Sequence, residues 1–307
     1  MAIMKHDMKA ILGEDFFKEE VKCGYRISEA QKMVCAMQLE LYLIFKDICN
    51  KYGLKHWVMY GSLLGAVRHD GFIPWDDDVD VAMPREDFNE FLRVAPKELA
   101  EPYSLQCPYT YPNCYITNVT MRNSNGTFTP KIFKKLDYNK GIPLDIFPFD
   151  YCNLETWPKE KDDIYYYHVM RCASWMKLQH PELLSDNQIE VCKKYYTAQP
   201  LLDWEAIQEI ASNSEKDGSE YMMMKVVLDR YHLERDIVYK SEWFERTVSH
   251  QFETVEVEIP NGWHDVLCVR YGEDYMEFPP VDKRGAINEM LIVDPYTPYK
   301  EYDFDRN

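Results

Sequence analysis

The chain has 307 residues, 46% of them hydrophobic and 14% aromatic, which is too apolar for disorder and long enough for one large α/β unit or two smaller ones. Charged residues make up 28%, and the formal net charge of −17 leaves no broad basic surface for a polyphosphate backbone, so nucleic acid is excluded as the expected partner. An anionic small substrate would need a local cation, from a metal ion or from Arg and Lys.

The N-terminus, MAIMKHDMKAILGEDFFKEE, has no continuous apolar stretch. No window approaches the roughly 18 uninterrupted apolar residues of a membrane span, so no integral membrane segment is expected. Ser28 and Gln31 form a capping-box pattern that opens SEAQKMVCAMQLELYLIFKDICNKYG, a long helix that stops at Gly53. HWVMY (56–60) has a strand pattern, and GSLLGAVRHDG (61–71) reads as a turn opening a helical segment. VDVAM (79–83) predicts a strand and PREDFNEFLRVAPKEL (84–99) a helix with acids in its first turn. YSLQC (103–107), YITNVTMRN (115–123) and IPLDIFPF (142–149) predict further strands. From 158 to about 250 the pattern is helical, with YYYHVMRCASWMKL and YMMMKVVLDRYHL as amphipathic candidates. FETVEVEIP alternates like a strand, WHDVLCVRYG like a helix, and EFPPVDKR is a loop. The fold class is α/β, with a mixed sheet of the α+β kind, and any boundary near 152–158 is soft.

Nine cysteines without a C-x-x-C pair read as reduced thiols of a cytoplasmic protein. Cys107 and Cys114, in QCPYTYPNC, could hold half of a zinc site, but no partner pair is evident.

The stretch GFIPWDDDVDVAM carries four aspartates within five positions between hydrophobic residues. If strand geometry reaches back far enough, Asp76, Asp78 and Asp80 share a face and Asp77 points away. Two carboxylates about 5 Å apart repel by roughly 3 kcal/mol at an effective dielectric near 20, so a cation is expected among them. A solvated acidic turn is the plain alternative; Val79, Val81 and Met83 on the opposite face argue for burial. An EF-hand loop starting at Asp76 fails, with Val81 where glycine is needed and Asp87 where glutamate is needed.

Gly61 and Ser62 add a third option, because a Gly-Ser turn leading into a helix can meet a phosphate with backbone N–H groups and a hydroxyl. Followed by hydrophobic-Asp-hydrophobic-Asp on the next strand, it describes a nucleotidyltransferase-type site in which carboxylates hold Mg²⁺ against phosphates. Such a site needs a third carboxylate from a later strand, and Asp145 in IPLDIFPFD offers it. A lone acid there is otherwise edge-strand decoration or a satisfied polar group.

The block YGSLLGAVRHDGFIPWDDDVDVAMPREDFNEF resembles the signature of the LicD family, and IPLDIFPFD and VRYGEDYMEFPP are similar to its later blocks. That family includes bacterial phosphorylcholine transferases acting on cell-surface glycans and is related to fukutin-related protein. The resemblance covers about residues 15–150 and 235–285. It implies a nucleotidyltransferase-like catalytic core with the N-terminal helix over 1–152, an added mainly helical region over 153–250, and a C-terminal segment over 251–307 packing on the core. It also implies metal-dependent transfer of a phospho-substituent, such as phosphocholine or phosphoribitol, from a CDP-linked donor to a glycan hydroxyl. Gly61 and Ser62 would face donor phosphate, and Asp76, Asp78 and Asp80 would bind Mg²⁺ or Mn²⁺. Asp145 would ligate metal or accept the acceptor hydroxyl's proton.

Arg68, Arg122 and Lys131 are further phosphate-binding candidates beside their reading as surface cations. His69 and His264 are candidate bases without a diagnostic pattern. Trp57, Trp75, Trp175 and Trp263 are candidates for an aromatic cage around choline, and Tyr271 with Phe278, Pro279 and Pro280 for lining the site. A nucleotidyltransferase that leaves the nucleotide on its acceptor and a DxD glycosyltransferase remain the alternatives. P-loop, dinucleotide, zincin and serine-hydrolase motifs are absent.

Overall fold

The computed structural model describes residues 6–76, 78–111, 119–196, 199–213, 219–226, 236–285 and 291–305, with all their side chains except those of Val169 and Asp282. One helical turn, α1 (Met8–Leu12), and a hairpin of β1 (Glu20–Lys22) and β2 (Tyr25–Ile27) precede the long helix α2 (Glu29–Tyr52). Ser28 and Gln31 make the expected capping box, each side chain bonding the other's backbone N–H, and Gly53 ends the helix in the left-handed region at φ 68°. Leu41, Tyr42, Phe45, Ile48 and Cys49 of α2 are fully buried in the main core.

β3 (Trp57–Val58), α3 (Tyr60–His69), β4 (Asp80–Pro84) and α4 (Arg85–Glu98) follow, so the predicted alternation is present with two shifts. β4 starts at Asp80 and does not reach back to Asp76, so pleating does not set Asp76, Asp78 and Asp80 on one face. Helix α3 starts at Tyr60, which places Gly61 and Ser62 inside its first turn and not ahead of it.

β5 (Tyr103–Gln106), β6 (Val119–Asn123), β7 (Thr127–Pro130) and β8 (Ile142–Cys152) complete the first half. The first residues of the predicted strand YITNVTMRN and Cys114 lie outside the described residues. β8 is the centre of the sheet. On one side it pairs in parallel with β4, which in turn pairs with β3. On the other side its first half pairs with β6 and its end with β9 (Tyr221–Met223), which pairs with β10 (Tyr239–Lys240). A strand paired along both edges and covered on both faces suits the near-continuous apolar run of IPLDIFPFDYC.

The predicted helical middle contains α5 (Trp157–Tyr165), α6 (Arg171–Leu178), α7 (Asp186–Tyr195) and α8 (Pro200–Ala211), with a π-turn at Tyr166–Met170 joining α5 to α6. YMMMKVVLDRYHL differs from its helical reading: Tyr221–Met223 are the strand β9, and residues 227–235 lie outside the described residues. Periodicity cannot separate a short apolar run in a strand from one in a helix. The end of β8 decides here, because its backbone groups need partners and β9 supplies them.

FETVEVEIP is the last residue of the first strand, the turn and the second strand of a hairpin, β11 (Thr247–Phe252) and β12 (Val255–Pro260). It leads into α9 (Trp263–Tyr271), and β13 (Leu291–Asp294) returns to pair with β7. Among the described residues, no helix is long and apolar enough to cross a membrane.

Candidate active site

Asp80 and Asp145 are register partners on the adjacent parallel strands β4 and β8. Residues so paired present their side chains to the same face on neighbouring strands, so the backbone itself sets two carboxylates side by side. The Asp145 N–H donates to the Val79 carbonyl at 3.1 Å, and the Met59 N–H donates to the Asp80 carbonyl at 3.0 Å. The start of α3 is thereby tied to the start of β4.

Ser62 strengthens that tie. Its buried hydroxyl accepts the Asp80 N–H at 2.9 Å, so its first duty is to hold a site residue. The Leu63 N–H bonds the Met59 carbonyl and begins the helical ladder, and among the described residues no side chain caps the N-terminus of α3. Helix geometry turns the preceding N–H groups, those of Tyr60, Gly61 and Ser62, out of the end of the helix. Tyr60 sits in the left-handed region at φ 53°, which costs a non-glycine residue on the order of 1 kcal/mol. Its ring is held 5.8 Å from that of Phe147 on β8.

Asp76 approaches from the loop. A Cβ on Gly61 would lie 2.4 Å from an Asp76 carboxylate oxygen, and one on Gly65 would lie 2.5 Å from the Gly71 carbonyl. Both glycines let the loop between α3 and β4 close onto the helix, and Gly61 leaves room for an acid. Asp78 is partly buried between Asp76 and β4, and Asp77 lies outside the described residues.

Burial pushes the Asp145 carboxyl up, against the Arg122 charge and a hydrogen bond from Thr120, both of which pull it down. The Thr120 hydroxyl donates to Asp145 Oδ1 at 2.6 Å from the register position opposite on β6. Sequence reasoning missed Thr120, although alternation along VTMRN places it on the face it shares with Arg122.

Among the described residues, no group of three or more His, Cys, Asp and Glu side chains is gathered closely enough to hold an ion as they stand. The donor set nonetheless fits a hard divalent cation, being all carboxylate oxygen, and Asp145 is a half-buried acid whose ionised form a cation would favour.

The other candidates separate. Arg68 Nη1 donates to the carbonyls of Tyr275 and Glu277 at 2.8 and 3.0 Å and fastens the chain after α9 to the end of α3. Arg122, buried, donates to Gln106 Oε1 and the Gly141 carbonyl, each at 3.1 Å. Lys131 is exposed. His69 is lowered to about 4 by burial and by the charges of Arg68 and Lys22, and its ring stacks on Phe278. His264 bonds the Tyr275 hydroxyl at 2.8 Å.

Of the tryptophans, Trp57 packs on Phe244, Trp175 joins a satellite cluster with Leu136 and Tyr138, and Trp263 contacts His264. The faces of Trp75 already meet cations of the protein, with Arg284 4.6 Å and Arg68 6.0 Å from its centroid. Burial raises the pKa of the Tyr271 hydroxyl, and the charges of Asp76 and Asp80 add to it, so the end of α9 lies within electrostatic reach of these acids.

A family profile, the LicD/FKTN/FKRP nucleotidyltransferase domain, matches residues 53–176, which include Gly61, Ser62, all the candidate aspartates, Arg68 and Arg122. The chain is 26% identical over 290 residues to the lipopolysaccharide cholinephosphotransferase LicD of Haemophilus influenzae, covering 86% of this chain and 97% of that protein. It is 34% identical over 115 residues to an uncharacterized protein of Rickettsia prowazekii, covering 36% of this chain and 40% of that one. Over 35 residues it is 54% identical to the human ribitol 5-phosphate transferase FKRP, covering 11% of this chain and 7% of that protein.

Proposed function

We propose, from the premise that residues 53–176 are a LicD/FKTN/FKRP nucleotidyltransferase domain, that the protein is a phosphotransferase. It moves a phospho-substituent, phosphocholine or a related phospho-alditol, from a CDP-linked donor to a hydroxyl of a surface glycan or its precursor. The observation that carries this reading is the parallel register of Asp80 and Asp145 beside the first turn of α3.

Asp76, Asp78 and Asp80 are the residues that would hold Mg²⁺ or Mn²⁺, with Asp145 beside the ion and free of it. Bound there, the ion would neutralise phosphate charge and polarise the phosphoryl group. The N–H groups at the start of α3 orient the donor's phosphate, as a helix terminus does for anions. Asp145 accepts the proton of the attacking hydroxyl, because burial raises its affinity for a proton and Thr120 fixes one of its oxygens. The hydroxyl oxygen forms a bond to the phosphorus that carries the alcohol, the bond to the second phosphate breaks, and CMP leaves. Phosphoryl transfer of this kind depends chiefly on positioning and charge neutralisation. The lipopolysaccharide named for the Haemophilus relative supports a glycan acceptor. Eight described cysteines are free thiols, which supports a cytoplasmic site of action.

The test incubates the protein with Mg²⁺ or Mn²⁺, a lipopolysaccharide acceptor, and CDP-choline, CDP-ribitol or CDP-glycerol in turn. The expected result is release of CMP and phosphorus-containing product on the glycan. Pyrophosphate release from CTP would instead support a nucleotidyltransferase, and turnover of a uridine-diphosphate sugar a glycosyltransferase.

A further inference from the structure

The acids of the site are many and the proposed donor is an anion, so a protein cation at the phosphate is expected on charge balance alone. Arg68 and Arg122 direct donors to backbone carbonyls and to Gln106. A different arginine lies at the end of α9, outside the matched domain. The centre of the Arg270 guanidinium is 5.2 Å from the centroid of Tyr60, the first residue of α3, and 5.9 Å from that of Tyr271. Helix α9 packs against α3, so this end of it stands over the turn that contains Gly61 and Ser62. Tyr271, which Arg270 hydrogen-bonds, lies within the electrostatic reach of both Asp76 and Asp80.

Stacking on a ring engages the face of a guanidinium, whereas phosphate recognition uses the N–H groups along its edge. The two are compatible in one arginine, and rings at 5.2 and 5.9 Å restrict where the guanidinium can move. We propose that Arg270 is a phosphate-binding residue of this site, contributed by the C-terminal segment to the donor of the nucleotidyltransferase domain. The inference rests on the phosphotransferase reading above. It explains why a chain of net charge −17 brings a cation from another part of the sequence to the acid-rich end of α3. It also gives the C-terminal segment a chemical task in addition to covering the core.

Calorimetry of wild type, Arg270→Gln and Arg270→Lys with cytidine, CMP and CDP-choline in Mg²⁺ tests the proposal, together with kcat, KM and Tm. The expected result is that Arg270→Gln keeps its cytidine affinity and loses affinity for CMP and CDP-choline. Its kcat/KM should fall on the order of 10²-fold, with Arg270→Lys recovering part. Equal losses for cytidine and the phosphorylated ligands would reduce Arg270 to a structural role and overturn the proposal, as would unchanged CMP affinity in Arg270→Gln. If Arg270→Gln does not fold, the same comparison in Arg270→Lys decides. A wild type that turns over no CDP donor defeats the phosphotransferase reading, whereas an active wild type with an indifferent Arg270→Gln defeats this inference alone.

Discussion

The Ser62 hydroxyl and the Asp80 N–H are joined at 2.9 Å, which fixes the first turn of α3 against the first residue of β4. Ser62→Ala leaves that N–H without its acceptor in a buried setting, a loss of about 1–3 kcal/mol. Urea unfolding should show this loss. Turnover should fall further than stability explains, because the Asp80 carboxylate is released along with its backbone. Full activity in a destabilised Ser62→Ala would separate the hydrogen bond from the chemistry.

Gly61→Ala should be damaging for a different reason. Its new methyl would meet the Asp76 carboxylate at 2.4 Å, so the acid must move away. The expected outcome is weaker divalent-ion binding by calorimetry and lower turnover in a folded protein. Gly61→Ala with Asp76→Ser should relieve the clash and restore the melting temperature without restoring activity. A Gly61→Ala enzyme with unchanged ion affinity would show that Asp76 takes no part in holding the ion.

Asp145→Asn should separate stability from activity. Burial raises the pKa of this carboxyl, so its ionised form near neutral pH weakens the fold. The amide should raise Tm, by about 2–4 °C for each kcal/mol gained, while turnover falls at least about 10²-fold. Added Mg²⁺ should stabilise wild type more than the variant. A less stable and still active Asp145→Asn would contradict both halves.

His56 gives a pH dependence whose sign is fixed. It is buried against Tyr42 and Phe45, and burial lowers it from 6.5 to about 4. Its folded pKa lies below its unfolded one, so the unfolded chain binds the proton first as pH falls. The contribution is whole above about pH 6.5 and is lost on descent towards 4, up to about 3 kcal/mol. Denaturant midpoints across that window should fall more steeply for wild type than for His56→Leu. Parallel pH profiles would remove His56 as the cause.

The buried Arg85–Asp150 pair ties the start of α4 to the end of β8 through two bonds of 2.6 and 2.7 Å, with Gln208 of α8 on the same guanidinium. Asp150→Ala strands the buried arginine and should cost about 3–5 kcal/mol. At a temperature where the variant remains folded, its KM for donor should match that of wild type. A large KM change would mean that the pair positions the site as well as the fold.

Much of this molecule could be read from residues in order. The capping box at Ser28 and Gln31, the stop at Gly53, the acid-rich first turn of α4 and the apolar run around Asp145 are each set by a few neighbouring side chains acting on their own backbone. The aspartates could be named as a group for the same reason, since like charges crowded among Val79, Val81 and Met83 need an explanation wherever the chain goes. Local preference did not reveal where the strands begin and which of them meet. β4 starts at Asp80, the register partner of Asp145 on β8, and Tyr221–Met223 became a strand because the end of β8 needed one.

The pairing of Asp80 with Asp145, the seating of Asp76 on Gly61, and the arrival of Arg270 over Tyr60 join segments far apart in the chain. Such contacts follow from how whole faces of sheet and helix are buried together. That choice depends on every packed side chain at once, and no short stretch carries enough of it to be read alone.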